Sequence, residues 1–152
     1  MSSLLGVSQK CQYALRALFE LAFRYTTESV ITVLEIAETQ KIPPRFLEQI
    51  LSKLRAGGYI VSKRGNLGGY LMTVSPSSIS VGEIIRFIEG AGESVECLEK
   101  PDSNHCPFRG GCVFRDLWKR AKFAMSDIFD ATTFQDLVDK QRQTNSEIDF
   151  NI

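Results

Sequence analysis

The sequence predicts a mainly α-helical fold carrying one small β-hairpin, and three observations predict it. Two short helical segments flank a break at Lys41-Ile42-Pro43-Pro44; two β-like runs follow, joined by a glycine-rich turn; and a heptad-like apolar seam recurs towards the C-terminus. Two short helices, a break and a hairpin make a winged helix-turn-helix. The seam adds a long dimerisation helix. The expected organisation is a winged helix-turn-helix over residues 1–88, a cysteine-bearing loop over 89–111, and a dimerisation helix with a short C-terminal helix over 112–152.

Each element has its own signal. From Ser8 to about Tyr25, Gln12, Arg16, Glu20 and Arg24 recur every fourth residue as one narrow polar stripe. The rest of that surface is apolar, as expected of a helix packed on several sides. Thr32 with Glu35 forms a capping box for a short helix, Val33 to Thr39. Pro43-Pro44 suits the first turn of the next helix, where an N–H is not needed. That helix, Pro44 to Ala56, sets Leu47, Ile50, Leu51 and Leu54 on one face and Arg45, Glu48, Gln49 and Ser52 on the other. Gly57-Gly58 ends it.

Tyr59–Lys63 and Tyr70–Val74 read as the strands of a hairpin whose tip is Arg64-Gly65-Asn66-Leu67-Gly68-Gly69. Ser80 and Glu83 cap a helix from Val81 to about Ile88. Residues 89–111 form a loop of a length that usually has a functional reason. From Cys112 to about Asp130, Phe114, Leu117, Ala121, Ala124 and Ile128 alternate steps of three and four, and Trp118, Met125 and Phe129 widen the stripe. Packing on the helix's own domain would also use such a stripe; pairing with a second copy is favoured because twofold dimers are the common case. Thr133 caps a last helix, Phe134 to about Arg142, followed by a polar, frayed tail.

Composition narrows the function. With 43% hydrophobic and 24% charged residues the chain can bury a core. No secretory signal or membrane-spanning run is visible, so a cytoplasmic protein that does not engage a membrane is expected. The zero net charge splits into +4 for residues 1–75 and −4 for residues 76–152, which suggests that the first half meets a polyanion. One histidine, no nucleophile–base pairing and no Walker-type phosphate loop argue against an enzyme.

Double-stranded DNA is the polyanion the motifs suit. Arg45, Glu48 and Gln49 lie near the start of the second short helix, the end that reaches base edges in a major groove. Arg can bond guanine, Gln adenine and Glu the cytosine amino group. An ordinary solvated helix face would look the same, but the wing shifts the balance. Arg64 at a glycine-rich hairpin tip suits a narrow minor groove, and Lys63 and Lys53 suit phosphate contacts.

The stretches Phe46-Leu47-Glu48-Gln49-Ile50-Leu51-Ser52-Lys53-Leu54-Arg55, Arg64-Gly65-Asn66-Leu67-Gly68-Gly69-Tyr70-Leu71 and Ile79-Ser80-Val81-Gly82-Glu83-Ile84-Ile85 resemble the Rrf-type winged-helix transcription regulators, which include the IscR- and NsrR-like iron–sulfur regulators. The resemblance runs from about Ser8 to Gln141 and is most specific from Arg64 to Leu71. It implies a homodimeric regulator, such as a repressor, on a palindromic operator. A long helix would cross its partner, and three loop cysteines would hold the cluster. Carried over residue by residue, Arg45, Phe46, Glu48 and Gln49 fall on recognition-helix positions, Arg64 on the wing arginine, and Cys97, Cys106 and Cys112 on the three cysteines.

The chain also departs from that pattern. Family members hold five residues in each cysteine gap; here the gaps hold eight and five. The usual fourth ligands fall on Arg115, where one branch has histidine, and on about Gln12, where another has a carboxylate. Whether the cluster is 2Fe–2S or 4Fe–4S is left open. Thiolates favour iron–sulfur clusters, zinc or copper(I) over hard cations. Candidate fourth ligands are His105, Glu96, Asp116, Arg115, Gln12 and Cys11; a solvated role suits His105 as well, and core packing suits Cys11 better. Three readings of the loop cysteines stand: an iron–sulfur cluster sensing iron or redox state, a structural zinc closed by His105, or cofactor-free thiol–disulfide chemistry. A winged helix that binds only proteins is the alternative of a different class.

Overall fold

The computed structural model describes residues 6–65, 68–90, 98, 108 and 111–150. Helix α1 (Gln9–Phe23) opens on Ser8, whose Oγ accepts from the Cys11 N–H at 3.1 Å. Helices α2 (Val33–Gln40) and α3 (Pro44–Ala56), strands β1 (Ile60–Lys63) and β2 (Gly69–Met72), and helix α4 (Val81–Glu89) follow. Helices α5 (Val113–Ala131) and α6 (Phe134–Phe150) complete the described fold. It is the winged helix-turn-helix plus long helix that the sequence implies.

Helix α1 is the hub, touching α2, α3, α4, α6 and the wing. Its Ala14, Ala17, Leu18 and Leu21 meet Leu47, Ile50, Leu51 and Leu54 of α3, Ile84 of α4, and Phe134 and Val138 of α6 in one buried cluster. Small alanines on α1 let the surrounding helices approach, which is why so much of its surface is apolar. Glu20, expected on the solvent-facing stripe, is instead buried. Gln40 Nε2 donates to its Oε2 at 2.8 Å and Arg24 pairs with its Oε1 at 3.3 Å, so the carboxylate enters the core with partners.

Helix α5 is a different case. None of its residues is fully buried; its main contact in the described fold is with α4, and Phe129 packs, partly buried, against the core. Arg86 pairs with Asp130 at 2.8 Å, the Val81 N–H donates to the Thr132 carbonyl at 2.8 Å, and the Phe134 N–H donates to the Ile79 carbonyl at 3.1 Å. The C-terminal end of α5 is therefore fixed to the start of α4. Helix α6 runs about two turns beyond its expected end near Arg142. Its first turns are anchored by Phe134 and Val138, and the extension carries i,i+4 pairs such as Gln141 Nε2 to Asn145 Oδ1 at 2.8 Å.

Candidate nucleic-acid interface and cysteine site

The helix-turn-helix is set by caps at both of its junctions. Thr32 Oγ1 accepts from the Glu35 N–H at 3.2 Å, while Glu35 Oε2 accepts from the Thr32 N–H at 2.8 Å. The Thr32 backbone N–H first, and then the Thr32 hydroxyl, hold the Glu35 carboxyl below the usual carboxylate range. Lys41 then adopts a left-handed conformation (φ 52°) and its N–H closes α2 on the Ala37 carbonyl. Across the turn, the Pro43 carbonyl accepts from the N–H groups of Phe46 and Leu47, both at 3.1 Å, so the first turn of α3 is well fixed.

On α3 the apolar face packs inward and Arg45, Phe46, Glu48, Gln49 and Ser52 lie exposed. Among the described residues the side chains of Arg45, Glu48 and Gln49 have no hydrogen-bond or ion-pair partner. Three hydrogen-bonding groups on a rigid helix, all unspent, are available to a ligand. Lys53 is placed differently from its neighbours. It is half-buried, its Nζ donates to the Ile88 carbonyl at 2.9 Å and lies 5.6 Å from the Phe87 ring centroid. That ammonium caps the C-terminal end of α4, where helix carbonyls lack partners.

The wing is an antiparallel pair with Ile60 opposite Met72 and Lys63 opposite Gly69. Ile31, just before α2, extends it through two bonds with Tyr70: Ile31 N–H to the Tyr70 carbonyl at 3.1 Å and the reverse at 2.8 Å. This contact ties the wing to the helix-turn-helix, and the sequence reading missed it. Its signal was the β-branched pair Val30-Ile31 between Ser29 and Thr32. Lys63 and Arg64 are exposed at the wing's end, where Gly65 takes φ 129°, a conformation open to glycine. Asn66 and Leu67 lie outside the described residues.

Of the proposed cysteine site, Cys97, His105 and Cys106 lie outside the described residues, as does Glu96. Cys112 is described: partly exposed, it stands as the N-cap of α5. Among the described residues no group of three or more His, Cys, Asp or Glu is placed to hold a metal ion. Cys11 is fully buried in the core beside Glu89. Burial first, and then the Glu89 carboxylate, push its thiol up to about 12. Glu89 in turn accepts from the Ser8 N–H at 2.8 Å. Among the described residues no helix is long and apolar enough to cross a membrane.

Comparison with known proteins agrees with this geometry. A family model described as "Rrf2: Iron-dependent Transcriptional regulator" matches residues 7–140. The transcriptional regulator CymR of Bacillus subtilis is 36% identical over 131 residues, covering 86% of this chain and 88% of that protein. The regulator IscR of Erwinia tasmaniensis is 30% identical over 149 residues, covering 93% and 88%. Among solved structures, T. potens IscR superposes with a TM-score of 0.73 at 29% identity, covering 91% of this chain and 89% of that one. The structure of B. subtilis CymR, described as the global cysteine regulator of that organism, gives 0.73 at 35% identity, covering 88% and 96%.

Proposed function

Because this chain belongs to the Rrf2 family of transcriptional regulators, whose matched members regulate transcription rather than catalyse reactions, we propose that it acts as a homodimer on a palindromic operator, reads bases with α3, and senses its signal through Cys97, Cys106 and Cys112. The observation that carries the reading is the solvent face of α3, where Arg45, Glu48 and Gln49 stand together without intramolecular partners among the described residues. Arg64 and Lys63 at the wing supply the flanking groove and phosphate contacts.

The exposed face of α5 supports the dimer. Phe114, Leu117, Trp118 and Ile128 are 47%, 51%, 40% and 65% exposed on one helix. An apolar surface of that kind seeks a partner, and a second copy of the same helix supplies one of matching shape. The two α3 helices then meet half-sites about 34–36 Å apart, or a multiple of that.

Three thiols within sixteen residues are a soft donor set that suits an iron–sulfur cluster, with a fourth ligand from His105, Asp116 or Gln12. Such a group would supply sensitivity to iron, oxygen or redox state. Cys112 begins α5, so a change in what it binds would act on the helix that spaces the reading heads. Affinity changes only if the competent arrangement is stabilised differentially.

A second reading keeps the same cysteines without a cofactor. Similarity to CymR, itself described as a cysteine regulator, favours it. In that case two of the three thiols would close a disulfide under oxidation. One preparation separates the readings: purification without air, followed by iron, sulfide and zinc analysis and by operator affinity before and after oxidation. Iron with acid-labile sulfide supports the cluster; metal-free protein that gains a disulfide and changes affinity supports thiol chemistry. Equal affinity in every state would refute both.

A further inference from the structure

We propose that Phe46 reads the 5-methyl group of a thymine in the operator half-site; the inference rests on α3 being the reading helix. Phe46 is 57% exposed, although its helix buries four other large apolar side chains, Leu47, Ile50, Leu51 and Leu54. It lies in the first turn, between Arg45 and Leu47, and at 3.6 residues per turn its side chain is about 60° around the helix from Gln49. The Pro43 carbonyl holds its N–H at 3.1 Å, and two prolines precede it, so the ring is presented on fixed backbone. Among the described residues the ring makes no aromatic or cation–ring contact, whereas Phe87 and Phe114 each have ring partners.

The chemistry then selects the target. A phenyl ring neither donates nor accepts, so the amino groups and ring nitrogens that Arg45, Glu48 and Gln49 can address are of no use to it. The one apolar feature that base edges present in the major groove is the thymine methyl. A phosphate, anionic and strongly hydrated, offers a phenyl ring no favourable contact. A phenyl beside Gln49 therefore contacts a thymine methyl next to the base pair that Gln49 addresses. Phe46 becomes a specificity residue, one that distinguishes thymine from cytosine and from uracil.

The test uses the full-length protein and duplexes recovered from a randomised library by selection on it. Each thymine of one half-site is replaced singly by 2′-deoxyuridine, which removes the methyl and nothing else. With the parent protein one position should lose about fourfold in affinity, the worth of one buried methyl-sized group at about 0.8 kcal/mol. Phe46→Ala should lose affinity for the thymine duplex, become indifferent to uracil at that position, and keep the parent's salt slope, since no phosphate contact is removed. Its melting temperature, measured in parallel, should stay at the parent's value because the ring is largely exposed. Phe46→Leu, still apolar, should retain part of the discrimination. A uracil penalty that persists in Phe46→Ala overturns the proposal. So does a selected duplex bound tightly with no uracil-sensitive position, or with no thymine in the half-site. Failure to enrich any duplex refutes the reading helix itself, and the proposal with it.

Discussion

Replacing Gly69 by alanine tests whether the wing is held where the structure places it. Gly69 opens β2 opposite Lys63, and its α-carbon packs against the extended segment at Ile31. A Cβ at this position would overlap the Ile31 carbonyl oxygen, stand 2.6 Å from the carbonyl carbon and 2.9 Å from Val30 Cγ1. The nearest obstacle is backbone, so no rotamer change relieves it. Ile31 is fully buried and is held by both of its bonds to Tyr70. Relief therefore means moving the strand and weakening at least one of those bonds.

Overpacking of this kind costs about 1–3 kcal/mol, and a strained backbone bond adds to it on the order of 1 kcal/mol. Taking about 3 kcal/mol as the centre of that sum, a chain of this length should melt about 6–12 °C lower. The assay is thermal unfolding by circular dichroism, with Gly111→Ala as control. Among the described residues a Cβ on Gly111 meets nothing within 4 Å, so that variant should melt with the parent. Operator affinity should fall as well in Gly69→Ala, because Lys63 and Arg64 ride on the displaced hairpin. A Gly69→Ala protein that melts with the parent would refute the close approach of the wing to Ile31.

Three further outcomes are expected. Cys11 and Tyr59 are both held protonated up to about 12, Cys11 by burial and Glu89, Tyr59 by burial and its 2.8 Å bond to Glu83. The folded chain therefore keeps protons that the unfolded chain releases above about pH 9–10, and stability should be level below that range and fall between there and pH 12. Urea unfolding across pH 8–11.5 reads this, and rising stability would contradict it. Lys53→Met should lower stability by about 1 kcal/mol through loss of the bond to Ile88 while leaving the salt dependence of DNA binding unchanged; a slope smaller by about one would instead mark a phosphate contact. Leu117→Lys, at an exposed position of α5, should leave the melting of the winged domain intact but shift sedimentation towards monomer and abolish high-affinity operator binding. Unchanged sedimentation would remove α5 from the dimer interface.

What could be read in the sequence follows the range of the interactions involved. The boundaries of α3, the capping box at Thr32 and the Ser80 N-cap are decided within a turn or two, and they stand where local pattern puts them; the reciprocal half of a box at Ser80 does not form, because the Glu83 carboxylate accepts from the distant Tyr59 hydroxyl at 2.8 Å. The face of α3 that packs and the face that is free also follow from periodicity alone. Glu20 and Lys53 could not be read in that way. Their partners lie 20 and 35 residues away, in Gln40 and Ile88, and a charged residue near the edge of an apolar stripe looks the same whether it turns to solvent or to a distant carbonyl. The end of α6 was hidden for a related reason: its anchor is Phe134 and Val138 against α1, which periodicity over a short polar segment does not reveal. The wing shows both regimes in one element. Glycines and β-branched residues announce the hairpin, but its attachment at Ile31 depends on a pairing across some forty residues. Lys53 carries the consequence for function. As a residue of α3 it belongs with the reading face by sequence, yet its bond to Ile88 joins α3 to the last turn of α4, and Gly90 leads from there into the segment that holds Cys97 and Cys106. A side chain that looks like a phosphate contact thus ties α3 to the end of α4, just ahead in sequence of the segment that holds Cys97 and Cys106, and its salt slope, more than its stability, decides which role it plays.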